Sequence, residues 1–246
     1  MRNTTEKLCL VVPCYNESLR LDFNKFSEVQ RILNCSFLFI DDGSTDDTKS
    51  KIQQFCESSR SFCFLSLPKN VGKSKAIYQG LRFAKSQKYE IFGTYDADSA
   101  VGVNDYARAL NHIRENPMID LVSGARILLA GSTIKRGKIR RWMSRVVATY
   151  INLIIDQDFY DPQSPCKLFR HSYFEDCSEP RTRWFFDIEI ILHRKMSVNF
   201  HLKNSISVLE FPLESWIDVE QSKIRKNQYL KILKDIMILS KLRLFP

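Results

Sequence analysis

The chain has 246 residues, 44% hydrophobic and 26% charged. That suffices for one large packed domain, not two full ones, and excludes a mostly disordered or fibrous protein. Thirty-seven Lys and Arg against 28 Asp and Glu give a formal charge of +9, which favours anionic partners: nucleotides, phospholipid headgroups or nucleic acid.

The amino-terminal stretch from Arg2 to Lys7 is polar, and the apolar run 8–12 is too short for a signal core. That run reads as a buried strand closed by Pro13. Runs 36–40, 62–67, 91–95 and 120–124 read as four more strands. Between them, Thr45, Asp46 and Asp47 can cap a helix carrying Ile52, Phe55 and Cys56 on one face. Helical spacing recurs over 74–84 (Ile77, Leu81, Ala84) and 104–115 (Ala107, Leu110, Ile113), the latter stopped by Asn116-Pro117. Alternating strand and helix predict an α/β fold around a doubly wound, parallel sheet. The second half differs. Residues 135–145 are strongly basic, 146–155 apolar and 158–163 turn-like; 184–193 read as a helix, 205–213 as a strand and 229–244 as a basic amphipathic helix.

Seven cysteines, without CxxC spacing, read as reduced and mostly buried thiols rather than a disulfide frame or zinc site. No window of about 18 apolar residues exists, so any membrane contact is expected to be peripheral.

Asp96-Ala97-Asp98 is the sharpest motif. Two carboxylates flanking a small residue past a strand offer hard oxygen ligands through which Mg2+ or Mn2+ can bridge to a diphosphate. Alone, the motif also reads as a polar turn. Pro13-Cys14-Tyr15-Asn16-Glu17 follows the first strand, and Asp41-Asp42-Gly43-Ser44 the second. An Asp there can accept from a uracil N3–H, and Tyr15 can stack on a base; each run alone also reads as a turn or cap. Sheets of this class bind ligands at the carboxyl ends of their strands, where all three runs fall.

Together these runs resemble family 2 glycosyltransferases of the GT-A fold, a Rossmann-like, mostly parallel doubly wound sheet. Asn70-Val71-Gly72-Lys73-Ser74 and Ser123-Gly124-Ala125-Arg126 also fall in family order. Asp161-Pro162-Gln163, Lys167-Leu168-Phe169-Arg170, Arg183-Trp184-Phe185-Phe186-Asp187-Ile188-Glu189 and the run from Trp216 to Lys223 are similar to the dolichyl-phosphate β-glucosyltransferase branch and its bacterial polyprenyl-phosphate relatives. The resemblance covers nearly the whole chain. It implies a single domain over 1–246, with 1–126 the nucleotide-sugar half and 127–246 an acceptor-side extension. It implies inverting transfer of one sugar to a lipid phosphate, with a UDP-sugar favoured. By that likeness Pro13, Tyr15, Glu17, Ile40 and Asp42 hold the nucleotide, Asp96, Ala97 and Asp98 hold metal and diphosphate, and Arg126 and Lys223 face phosphates. After Gln163 the family usually reads Cys-Gly-Phe; this chain has Ser164-Pro165-Cys166.

Lys73 imitates a phosphate-loop lysine, but Leu67 stands where the first glycine is required, so it reads as a helix-start lysine near the sugar-nucleotide. Asp187 can be a general base, an acceptor-orienting group or half of a solvated helix pair with Glu189. A phosphate acceptor needs no base, whereas a hydroxyl acceptor, the alternative substrate, does. Arg136, Lys138, Arg140, Arg141 and Arg145 lead into Val146, Val147, Ile151 and Leu153, and Lys231, Lys234, Lys241 and Arg243 lie beside Leu230, Leu233, Met237 and Leu244. Each set reads either as a solvated face over core or as a helix on anionic lipid. The expectation is a cytoplasmic enzyme, peripheral on the cytoplasmic face of a membrane. Nucleic acid is not expected as a partner, since ordered carboxylates repel phosphate unless a metal intervenes. A nucleotidyltransferase would carry a glycine-rich loop where Pro13 to Glu17 has none.

Overall fold

The computed structural model describes residues 6–135, 138–174, 177–197, 207–217 and 226–244. The five expected strands are present as β1 (Leu8–Cys14), β2 (Ser36–Asp41), β3 (Phe62–Ser66), β4 (Ile91–Thr94) and β5 (Leu121–Ala125). Between them lie α1 (Phe23–Leu33), α2 (Thr48–Cys56), α3 (Lys73–Ser86) and α4 (Val103–Glu115). Of these, α1 was not anticipated, although its signals are local. Asp22 caps it by accepting from the Asn24 N–H at 3.1 Å, Phe26, Val29 and Leu33 form its buried stripe, and Asn34 ends it at φ 48°.

The second half supplies β6 (Thr133–Lys135), α5 (Lys138–Ile155), β7 (Lys167–Arg170), α6 (Phe186–Ser197), β8 (Val208–Pro212), β9 (Ser215–Ile217) and α7 (Lys226–Leu244). Seven strands form one sheet in the order β3-β2-β1-β4-β7-β5-β8, and β6 and β9 form a small parallel pair. All pairings in the large sheet are parallel except those of β7, which runs antiparallel to both β4 and β5. Chain order runs outward from β1 to β3 and then returns to β4 on the other side of β1. The crevice between β1 and β4 is thus the topological switch point, the place where such sheets take ligands.

Period-two alternation splits β1 between two cores. Leu8, Leu10, Val12 and Cys14 pack with α1, α2 and α4; Cys9 and Val11 pack with α3, α5, α6 and α7. Helices therefore cover both faces, which is why these strands are apolar throughout. In α7, Leu239 and Leu242 are core, whereas Leu233 and Met237 are 57% and 61% exposed. In α5, Ile151, Ile154 and Ile155 are core, while Trp142, Val146, Tyr150 and Leu153 form an exposed apolar stripe at helical spacing. The Tyr150 hydroxyl lies 2.9 Å from that of Ser240, which brings the exposed stripes of α5 and α7 side by side. Arg145 turns onto Tyr160, its guanidinium 4.1 Å from the ring centre, and donates to the Tyr160 carbonyl. Arg136 lies outside the described residues. Among the described residues no helix is long and apolar enough to cross a membrane.

Candidate active site

A cavity of about 950 Å³ opens at the switch point. Its first wall is the loop after β1. Asn16 adopts φ 53°, and its side-chain oxygen accepts from the Thr45 N–H at 2.8 Å. The Asn16 N–H donates to Ser44 Oγ at 3.0 Å, and the Glu17 N–H to the buried Thr48 hydroxyl at 2.7 Å. These bonds lock the loop after β1 to the loop after β2. Pro13, Tyr15 and Glu17 line the cavity, and the Tyr15 ring stands 39% exposed.

Asp42 is buried, and both its oxygens are engaged: one accepts the Val71 N–H at 2.7 Å, the other the Gly72 N–H at 2.9 Å. Burial pushes its carboxyl pKa up, against the pull of those two N–H groups and of Arg183. Gly72 sits at φ +100°, and a Cβ there would lie 2.6 Å from Arg183 Cγ. Only glycine serves this turn. Asp42 thus builds the turn that presents Lys73, while each oxygen keeps a second lone pair for a ligand. Ile40, expected at the nucleotide, is instead wholly buried core against Gly80 of α3 and is not part of the cavity wall. The period-two alternation of β2 turns its side chain to the helical layer.

Past β4, the Tyr95 N–H donates to Val11, and Ser99 at φ 52° donates to the Asp96 carbonyl, so residues 96–98 turn tightly over the strand end. Ala97 is buried, and it lines the cavity together with Asp96 and Asp98. Lys73 Nζ lies 2.7 Å from Asp96 Oδ1. Arg20 grips Glu17 through two bonds of 2.6 and 2.7 Å and places Nη1 3.6 Å from Asp98 Oδ2. Burial, then the neighbouring Asp96 charge, raises the pKa of Asp98, against Arg20 and Lys73. For Lys73 burial works to lower the pKa, but Asp96 prevails and the net shift is upward. No cluster of three or more His, Cys, Asp or Glu able to hold a metal occurs among the described residues. Asp96 and Asp98 nonetheless suit Mg2+ or Mn2+, which commonly take one or two carboxylates and complete their shell with phosphate and water.

The second half closes the far side. Antiparallel insertion of β7 sets Lys167 opposite Thr94, at the cavity floor. The buried Lys167 ammonium donates to the carbonyls of Pro162 and Ser164 and to Asp187, which lines the cavity from α6. Arg126, expected to face a phosphate, also lines the cavity, with its guanidinium already paired. It is forked onto Asp161 at 2.6 and 2.8 Å and lies 5.3 Å over the Trp216 ring. Burial opposes ionising Asp161, yet Arg126 holds its carboxyl below the usual range. Lys223 lies outside the described residues. Lys231, taken from the sequence as part of an exposed basic tail, lines the cavity together with Ile232.

Sequence reasoning assigned no role to Arg20, Lys167, Arg183 or Trp216. Arg20 was within reach, being three residues after Glu17; Lys167 and Arg183 were not, because the side chains they meet, Asp187 and Asn70, are remote in sequence.

The family model for glycosyl transferase family 2 matches residues 9–178. The chain is 26% identical to a dolichyl-phosphate beta-glucosyltransferase of Saccharomyces cerevisiae, over 94% of this chain and 73% of that one. It is also 26% identical to a protein of the same name from Dictyostelium discoideum, over 94% and 72%. Among solved structures, glucosyl-3-phosphoglycerate synthase from Mycobacterium tuberculosis, in complex with Mn2+, uridine-diphosphate and glucosyl-3-phosphoglycerate, superposes with a TM-score of 0.67 at 13% identity, over 98% of this chain and 81% of that one. The chain belongs to glycosyl transferase family 2, and its fold is GT-A.

Proposed function

We propose that this family 2 glycosyltransferase moves one sugar, with inversion, from a UDP-sugar to a polyprenyl phosphate at an anionic membrane surface. The observation that carries this is the meeting of Tyr15, Asp42, Lys73, Asp96 and Asp98 in one cavity at the switch point, in a chain with relatives over nine-tenths of its length that are named dolichyl-phosphate beta-glucosyltransferase.

Tyr15 and Asp42 hold the base end of the donor. Lys73 and Arg20 stand beside the carboxylates where the diphosphate is held. A Mg2+ or Mn2+ ion on Asp96 and Asp98 would supply Lewis-acid neutralisation of the leaving nucleoside diphosphate. The acceptor phosphate oxygen attacks the anomeric carbon from the face opposite the diphosphate; the new C–O bond forms as the old one breaks, and its electron pair leaves on the diphosphate. No proton is removed, so Asp187, paired with Lys167, acts by orienting the acceptor. Lys231 and Ile232 at the rim connect the cavity to the exposed stripes of α5 and α7, which suit a lipid-borne acceptor.

The hydroxyl alternative keeps Asp187 as a base. Incubating the protein with UDP-glucose, Mn2+ and either a short polyprenyl phosphate or free sugars and glycans decides the matter. Radiolabel is expected in the lipid phase only; labelled free glycan would overturn the lipid-phosphate assignment.

A further inference from the structure

Asp96 and Asp98 each carry a cation of the chain's own, Lys73 at 2.7 Å and Arg20 at 3.6 Å. These two cations differ in freedom. Arg20 is forked onto the buried Glu17, so its position is fixed. Lys73 is the first residue of α3, and its backbone is anchored on both sides, by the Gly72 N–H on Asp42 and by the Ser74 N–H on the Arg183 carbonyl. Its side chain is 37% exposed and ends in a single ammonium on a flexible stem. The mobile element is therefore one side chain.

Arg20 is shared between Glu17 and Asp98, whereas Lys73 and Asp96 form one balanced pair. A divalent ion arriving alone must displace Lys73 from Asp96, which leaves that ammonium without its counter-charge in a half-buried pocket. A nucleotide-sugar diphosphate brings two negative charges and oxygen acceptors for the displaced ammonium. We propose that Lys73, backed by Arg20, is a resident counter-cation that keeps a divalent ion off Asp96 and Asp98 until a nucleoside diphosphate enters. Lys73 then moves onto the phosphate oxygens, so ion and nucleotide bind as a pair. The inference rests on the nucleotide-sugar assignment and adds an order of binding to it. It also makes Lys73 a gate as well as a ligand: the same ammonium that blocks the ion neutralises the leaving group once displaced.

The test is calorimetric titration of Mn2+ into the full chain, with and without saturating UDP. The wild type is expected to bind Mn2+ at least about tenfold more tightly with UDP than without, within the usual range of coupling between sites. Lys73→Met is expected to bind Mn2+ alone about tenfold more tightly than the wild type and to lose most of the dependence on UDP. Lys73→Arg should restore exclusion of the lone ion. Lys73→Gln serves as a second uncharged variant should Lys73→Met fold poorly. A wild type that couples the two ligands, with Met and Gln variants whose Mn2+ affinity without UDP is unchanged or weaker, would overturn the gate and leave the nucleotide-sugar assignment standing. A wild type that binds no UDP in the presence of Mn2+ would overturn both.

Discussion

Burial and the Asp96 charge together work against ionising Asp98. A carboxyl whose pKa is raised by folding favours the native state at low pH and works against it as pH climbs through the folded-state value. At neutral pH, Asp98 is thus a standing cost to the fold, as ligand-binding groups often are. Asp98→Asn is expected to keep or raise the melting temperature and to abolish the Mn2+-dependent stabilisation by UDP. Thermal melts with and without both ligands check this, and a fall of several degrees in the ligand-free melt would make Asp98 structural instead. Asp161 has the opposite sign. Arg126 holds its pKa down, so their pair contributes stability that is full above the ordinary carboxylate value and is lost as pH falls through the lower folded-state value. Asp161→Ala takes the carboxylate from the mostly buried Arg126 guanidinium and is expected to cost about 3–5 kcal/mol, whereas Arg126→Met with Asp161→Leu is expected to cost much less. Urea melts at neutral pH and near pH 3 should show the wild type losing more than the double variant in acid. At this scale Asp96 and Asp98 were legible because a strand end announces itself locally. The pairing of Arg126 was not: Asp161 stands thirty-five positions away, across a loop.

Short elements behave differently from long ones. The five apolar runs of the first half were legible because four to seven buried residues bounded by turn formers leave little choice. Helix α1 carried equally local signals and was passed over. Strand β7 offered little to read: four residues with a lysine and an arginine at its ends resemble surface, and only Asp187 and the carbonyls of Pro162 and Ser164 make the lysine tolerable inside. Helix α7 reads as a basic surface helix, yet its one acidic residue, Asp235, is buried and accepts the Arg183 and Trp184 N–H groups at 2.8 and 3.0 Å. Through Arg183, which packs on Gly72, α7 supports the turn that carries Lys73. Asp235→Ala is expected to cost about 1–3 kcal/mol, the scale of orphaned buried donors, and to weaken UDP binding. Lys234→Ala, on the exposed side of the same helix, should change stability by less than about 0.5 kcal/mol. Chemical denaturation and calorimetry on the two variants separate support from surface.

For the whole molecule, the proposed membrane attachment rests on the charge of +9 and the paired apolar stripes of α5 and α7. The protein is expected to co-sediment with anionic vesicles and to release as salt rises, since surface charges act over a Debye length of about 8–10 Å. Trp142→Ser with Leu153→Ser should weaken that binding by at least about tenfold, from the apolar area no longer buried. Equal sedimentation of the wild type with neutral vesicles at high salt would remove the electrostatic part, and an unaffected double variant would remove the apolar part. Composition made the charge legible; it could not show which apolar residues of α5 face inward, because that depends on where α6 and α7 pack.

Sheet order also governs how the chain is made. Among the described residues, the neighbours of strand β5 are β7 and β8, and both follow it in sequence. On a ribosome, β1 to β4 can pair as they emerge, but β5 waits unpaired until residues 167–170 arrive, and the β4 edge stays open for as long. Such non-local pairing is slow and leaves an edge on which nascent chains stick together. The carboxylate turn between β4 and β5 is then among the last parts to be framed on both sides. Chain release halted before Lys167 should yield a protease-sensitive β4–β5 segment and a strong demand for chaperones, relieved once β7 slots in.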